Sequence, residues 1–182
     1  PILPAIAAGS PFVDGRPSGL LDTRLHFYRR NQQRIPSIAG RVIPERVFSR
    51  QDYAELIHAA IFRDIEPFDP ENILRHEWLN SRGAIARFER SAVEIRLIDN
   101  QECPSADLAV VSSVVAALKC LVRELWSSFD DQKAPDEEEL LAILLPCIES
   151  GEQAVIDRAP FLALFAFPGF RATGAELWTH IV

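Results

Sequence analysis

The sequence predicts an α+β fold. Three observations carry that expectation: a two-residue alternation over residues 84–98 that reads as an antiparallel hairpin, a long apolar helix after it, and several capped helical segments on either side. With 182 residues, 48% hydrophobic and 25% charged, the chain suits one ordinary globular domain that buries roughly 70% of its unfolded surface.

Residues 1–20 are rich in Pro, Gly and Ser, and read as an apolar start followed by an irregular loop. Residues 22–33 suit a short basic helix capped by Asp22, followed by a connection punctuated by Pro36 and Pro44. Ser49 and Asp52 give a capping-box-like start to the next helix. Tyr53, Leu56, Ile57, Ala60 and Ile61 share one of its faces, and it should end near Asp64, ahead of Pro67. In the strand segment Val93, Ile95 and Leu97 alternate with Glu94, Arg96 and Ile98. A turn at Glu89–Arg90 then pairs Phe88 with Ser91, Arg87 with Ala92 and Ile85 with Glu94. From Pro104 to about Ser128 runs a helix that is apolar on nearly every side, which predicts burial. A charged connection leads to a helix over 137–150 that Pro146 should kink or break and Gly151 should stop. One or two further helices complete the chain, with Phe161 to Phe167 expected in the core. The acidic run Asp136 to Glu139 reads as a solvated helix start.

Composition excludes several functions. A formal net charge of −7 argues against a nucleic-acid binder that depends on phosphate neutralisation. Only Lys119 and Lys133 among the 19 basic residues are lysines, so the chain is rich in the side chain that grips carboxylates and phosphates bidentately. Cys103, Cys120 and Cys147 are scattered, as free thiols of a cytoplasmic protein would be, and no histidine has zinc-site spacing. The longest uncharged stretch of the apolar helix, Leu108 to Leu118, is too short to cross a bilayer, so no membrane partner is expected. The chain contains no Met and opens on Pro1, which suggests a processed product or a piece of something longer.

The chemistry concentrates in RFERSAVEIRLID. Glu94 and Arg96 lie two residues apart on a strand, so their attachment points stand roughly 6 to 7 Å apart on one face. With Arg87 opposite and Arg90 nearby, that face suits an anionic ligand with Mg²⁺. It equally suits a solvated strand face with a cross-strand ion pair.

The ordered stretches AIAAGSPFVDGRPSG (5–19), TRLHFY (23–28), EWLNSRGAIARFERSAVEIRLIDNQECPSADLA (77–109) and, more weakly, GEQAVIDRAPFLALF (151–165) resemble the glutamate-cysteine ligase type 2 family. The specific part is the combination of SPF-x-DG, the downstream Arg and R-F-x-R-x-x-x-E-I-R, which places the chain in the C-terminal half of such a ligase. The resemblance implies an antiparallel sheet with helices packed on one side, part of a glutamine synthetase-like catalytic domain. It implies ATP-dependent joining of glutamate to an amine such as cysteine, through an acyl phosphate and with Mg²⁺. Glu94 would be a metal ligand, Arg87 and Arg96 catalytic arginines, and Arg24, Ser10 with its neighbour Pro11, and Arg90 substrate-side residues. The remaining carboxylates would come from a missing N-terminal half or another subunit, leaving this chain inactive alone. A homo-oligomer is compatible with this reading, as is a non-catalytic ligand-binding or regulatory module that keeps the ligase-like sheet.

Overall fold

Short helices and two-stranded antiparallel sheets alternate along the chain in the computed structural model, which describes residues 1–182. In order these are α1 (Pro4–Ala7), β1 (Phe12–Val13), β2 (Arg16–Pro17), α2 (Thr23–Tyr28), α3 (Arg50–Asp52), α4 (Ala59–Ile65), β3 (Ala84–Arg87) and β4 (Ala92–Ile95). Then follow α5 (Pro104–Val122), α6 (Phe129–Gln132), α7 (Glu137–Ser150), β5 (Val155–Ile156), α8 (Ala159–Ala163), β6 (Ala172–Thr173) and α9 (Gly174–Ile181). The α+β expectation holds. The strands form three separate pairs, β1–β2, β3–β4 and β5–β6.

Two compact units divide the chain, residues 26–97 and residues 1–25 with 98–182. In the unit of residues 26–97 the Ser49 hydroxyl accepts from Asp52 N at 3.0 Å, and the helix it caps runs to Ile65. Its middle turn, Tyr53–His58, is a π-helix. The wider turn adds a residue, so Ile57 and Ile61 are buried with Ile38 and Ile65 whereas Leu56, expected on the same face, is exposed. Arg82, also buried, holds Glu45 with two guanidinium nitrogens and donates Nη1 to Ser37 O and Asn80 Oδ1.

In the other unit, α7 and α9 supply much of the core through Leu144, Cys147, Ile148, Leu177 and Trp178. The Trp178 indole donates to Ile2 O at 2.9 Å, which ties the first residues to the last helix. Phe161, Leu162 and Phe165 are buried as expected, and Asp136 and Glu139 close a capping box at the exposed start of α7. Four expectations change here. Residues 12–17 are a hairpin, not irregular loop, because Asp14 and Gly15 both adopt positive φ in its turn. The α2 helix stops at Tyr28 and gives way to turns. Pro146 does not break α7, which continues to Ser150, with packing of Leu144, Cys147 and Ile148 offsetting the lost backbone bond.

The fourth concerns α5. It ends at Val122, where Glu124 turns to positive φ, and only Val110, Val114 and Ala117 are buried. Leu108, Val111, Val115, Leu118 and Val122 are all exposed. An all-round apolar sequence had suggested a core helix, but only one stripe of it finds a partner. Counted as a whole, this 19-residue helix is long and apolar enough to cross a membrane by length and composition, so the length argument against a span fails.

Candidate functional site

The hairpin β3–β4 has the expected register, with Arg87 opposite Ala92 and Ile85 opposite Glu94. Its turn is a 3₁₀ segment, Phe88–Arg90, closed by Ser91 in the left-handed region at φ 49 and by Ser91 N donating to Phe88 O at 3.3 Å. Positions 85, 87, 94 and 96 therefore share a face. Ile85 buries its end of that face, and the charged residues occupy the remainder.

Arg87, Glu94 and Arg96 are brought together. Arg87 Nη1 donates to Glu94 Oε2, and Arg96 Nε lies 3.0 Å from Glu94 Oε1, so one carboxylate is shared by two guanidiniums. Arg96 Nη2 also donates to Trp78 O at 3.1 Å. On the far side of Arg87 stands Glu77, a residue the sequence reading did not single out although it lies within the family-like stretch. Its Oε1 accepts from Phe88 N at 3.0 Å. Its Oε2 faces Arg87 Nε at 3.7 Å, too far for a hydrogen bond, and both atoms are buried without a hydrogen-bond partner. The result is an alternating chain, Glu77–Arg87–Glu94–Arg96, with no net charge. Arg90 projects, exposed, from the turn and is not joined to it.

This arrangement decides what the face can hold. No group of three or more His, Cys, Asp or Glu side chains is placed to bind a metal ion. Glu94 is one carboxylate between two cations, so these residues do not by themselves fit Mg²⁺. An anion fits better: it can exchange for Glu94 on Arg87 and Arg96 with guanidinium geometry already set.

Behind the hairpin, His58 stacks on Phe62 and meets Tyr53 and Phe88 edge-on. Burial lowers its pKa, which keeps it neutral near pH 7. The π turn also aims Tyr53, whose hydroxyl accepts from Asn80 Nδ2 at 2.8 Å and from Ala86 N at 3.2 Å.

Ser10 and Arg24 meet in the other unit, through two aspartates. Asp99, buried, accepts from Ser10 Oγ at 2.6 Å, from Gly9 N at 3.1 Å and from Arg24 Nε. Ser10 Oγ in turn accepts from Arg24 N at 3.0 Å. Asp22 is also buried and caps α2, its Oδ1 accepting from Leu25 N at 2.8 Å, as the sequence suggested. Its Oδ2 has no hydrogen-bond partner, and burial, with Asp99 adding to it, raises the carboxyl to about 6. Pro11 accepts from Ser18 at the base of the β1–β2 hairpin. Asp99 was legible only as the end of RLID, and no pattern rule marked it.

The family model described as glutamate-cysteine ligase family 2 (GCS2) matches residues 1–144, which include both clusters. An uncharacterized protein of Archaeoglobus fulgidus is 39% identical over 125 residues, 69% of this chain. The chain spans only 33% of that relative's length. No solved structure matches. With a family match over most of its length, reaching through the hairpin and into α7, the chain belongs to glutamate-cysteine ligase family 2.

Proposed function

We propose that this chain supplies the arginine-bearing face of an ATP-dependent carboxylate-amine ligase. The reaction forms a γ-glutamyl amide from glutamate and an amine such as cysteine, through an acyl phosphate. The observation that supports it most is the placement of Arg87, Glu94 and Arg96 on one hairpin face within a family-2 ligase sequence.

In this reading Arg87 and Arg96 bind the transferring phosphoryl oxygens or the donor carboxylate once Glu94 gives way, and the paired guanidiniums offset negative charge as it builds. Glu77 restrains Arg87 from the other side, and Asp99 holds Ser10 and Arg24 in one conformation. A magnesium role for Glu94 would need further carboxylates from beyond the residues this chain brings together.

The neutral, self-paired state of the ion-pair chain favours a second reading, a non-catalytic module that binds an anionic ligand. The two differ in turnover. In the full gene product, Arg87→Ala should cut phosphate release with glutamate and an amine by roughly 100-fold or more. Saturable binding of ATP or glutamate without phosphate release would support the module instead.

A further inference from the structure

Residues 29–50 carry six arginines and a single acid, Glu45. That acid is already taken, since buried Arg82 holds it with two guanidinium nitrogens. Arg34, Arg46 and Arg50 lie over the rings of Phe68, Phe48 and Phe88, with guanidinium carbons 4.9, 5.9 and 4.8 Å from the ring centres. Arg29 has neither kind of partner. Its Nε is buried with nothing to accept its hydrogen, and the charged neighbours that act on it are Arg30 and Arg41, both positive. A buried charged N–H left unmatched costs more than an ordinary hydrogen bond contributes, so a ligand is the natural acceptor.

The Arg29 side chain lines a cleft. Where α2 stops at Tyr28, successive turns fold the chain back on itself: Arg30 N donates to Phe27 O, Gln33 N to Arg30 O and Gly40 N to Pro36 O. Arg29, Gln32, Gln33, Pro36, Ala39 and Gly40 together enclose about 140 Å³. Pockets for drug-sized molecules begin at roughly 300 Å³, so this cleft takes one small group and not a whole nucleotide. One wall is firmly held. Ala39 is buried, and Gly40, at φ 54, has Glu45 Oε1 and Arg82 Nη2 2.9 and 3.0 Å from where a Cβ would stand.

We propose that this cleft binds a phosphate group, gripped by the Arg29 guanidinium with the Gln32 and Gln33 amides as further donors. No carboxylate lines it to oppose an anion, and the positive charges of Arg30 and Arg41 favour a dianion over a singly charged carboxylate. The cleft shares no lining residue with the Arg87–Glu94–Arg96 face. It therefore stands independently of the ligase reading.

The test is a phosphate titration of ¹⁵N-labelled protein at constant ionic strength, followed at the Arg29 Nε–H signal, which Arg29→Lys identifies by its loss. A saturable shift is expected, with acetate at least tenfold weaker. Arg30→Gln removes one positive neighbour and should raise the phosphate dissociation constant roughly two- to fivefold. Arg29→Gln should raise it at least tenfold, read at the Gly40 amide, with the amide spectrum away from the cleft unchanged. The full gene product should give the same Arg29 response. No saturable shift, a Gly40 response indifferent to Arg29→Gln, or acetate binding as tightly as phosphate would overturn the proposal. So would a response in the 182-residue chain that the full gene product lacks, which would assign Arg29 to a carboxylate elsewhere in the polypeptide.

Discussion

Asp22 is the residue whose charge state the fold controls most directly. Its carboxyl titrates near 6 in the folded chain, against 3.8 as an ordinary aspartate, because burial opposes the charged form. Folding therefore takes up a proton between these values. The associated stability is fully present below pH 3.8 and is lost as pH rises through about 6. Asp22→Asn, which keeps the Oδ1 acceptor for Leu25 N, should flatten that part of the pH–stability curve. Relative to wild type it should gain roughly 1–3 kcal/mol between pH 4 and pH 7, measured by denaturant titration at each pH. Arg82 is the opposite case, a buried charge with its partners in place. Arg82→Ala leaves Glu45 and the Ser37 carbonyl without their guanidinium donor and should cost roughly 3–5 kcal/mol in the unfolding of its unit. At the hairpin, Glu94→Gln removes the internal competitor for two guanidiniums. It should strengthen pyrophosphate binding to this chain by calorimetry, whereas weaker binding would show that Arg87 and Arg96 are not the anion site.

At the scale of elements, the hairpin was the most legible part of the sequence. Alternating residues on both sides of a short turn leave one register that keeps Ile85 buried, and that register places Arg87, Glu94 and Arg96 together. The turn itself was less so: a two-residue Glu89–Arg90 turn was expected, and a 3₁₀ segment ending in left-handed Ser91 forms instead. Ser91→Gly should relieve that conformation and stabilise by about 0.5–1 kcal/mol, seen as a higher melting temperature. Helix α5 shows the limit of periodicity. Its sequence has two adjacent apolar stripes, and nothing in one chain says which of them will find a partner. The π turn in residues 53–58 was invisible for a related reason, since it depends on how Tyr53 reaches Asn80 and Ala86, contacts distant in sequence. Pro146 reads as a kink or a break in the sequence, and the helix runs through it unbroken. Pro146→Ala should stabilise α7 by about 1–3 kcal/mol, measured as a rise in the urea midpoint.

For the molecule as a whole, the SPF-x-DG and R-F-x-R-x-x-x-E-I-R stretches were enough to reach the family, because they fix chemistry-bearing residues in a set order. The way each residue is held was not legible. Glu77 and Asp99 act through burial and pairing, and neither stands at a spacing that marks it. The ligase proposal rests on the arginines of one hairpin and on a sequence that covers a third of its relative. The most direct measurement is ATP-dependent phosphate release by the full gene product, with glutamate and a panel of amines, in wild type and in Arg87→Ala and Arg96→Ala variants. The proposal predicts release only when glutamate and an accepted amine are both present, and a loss of roughly 100-fold or more in each variant. Turnover that is indifferent to glutamate, or that survives both substitutions, would contradict it.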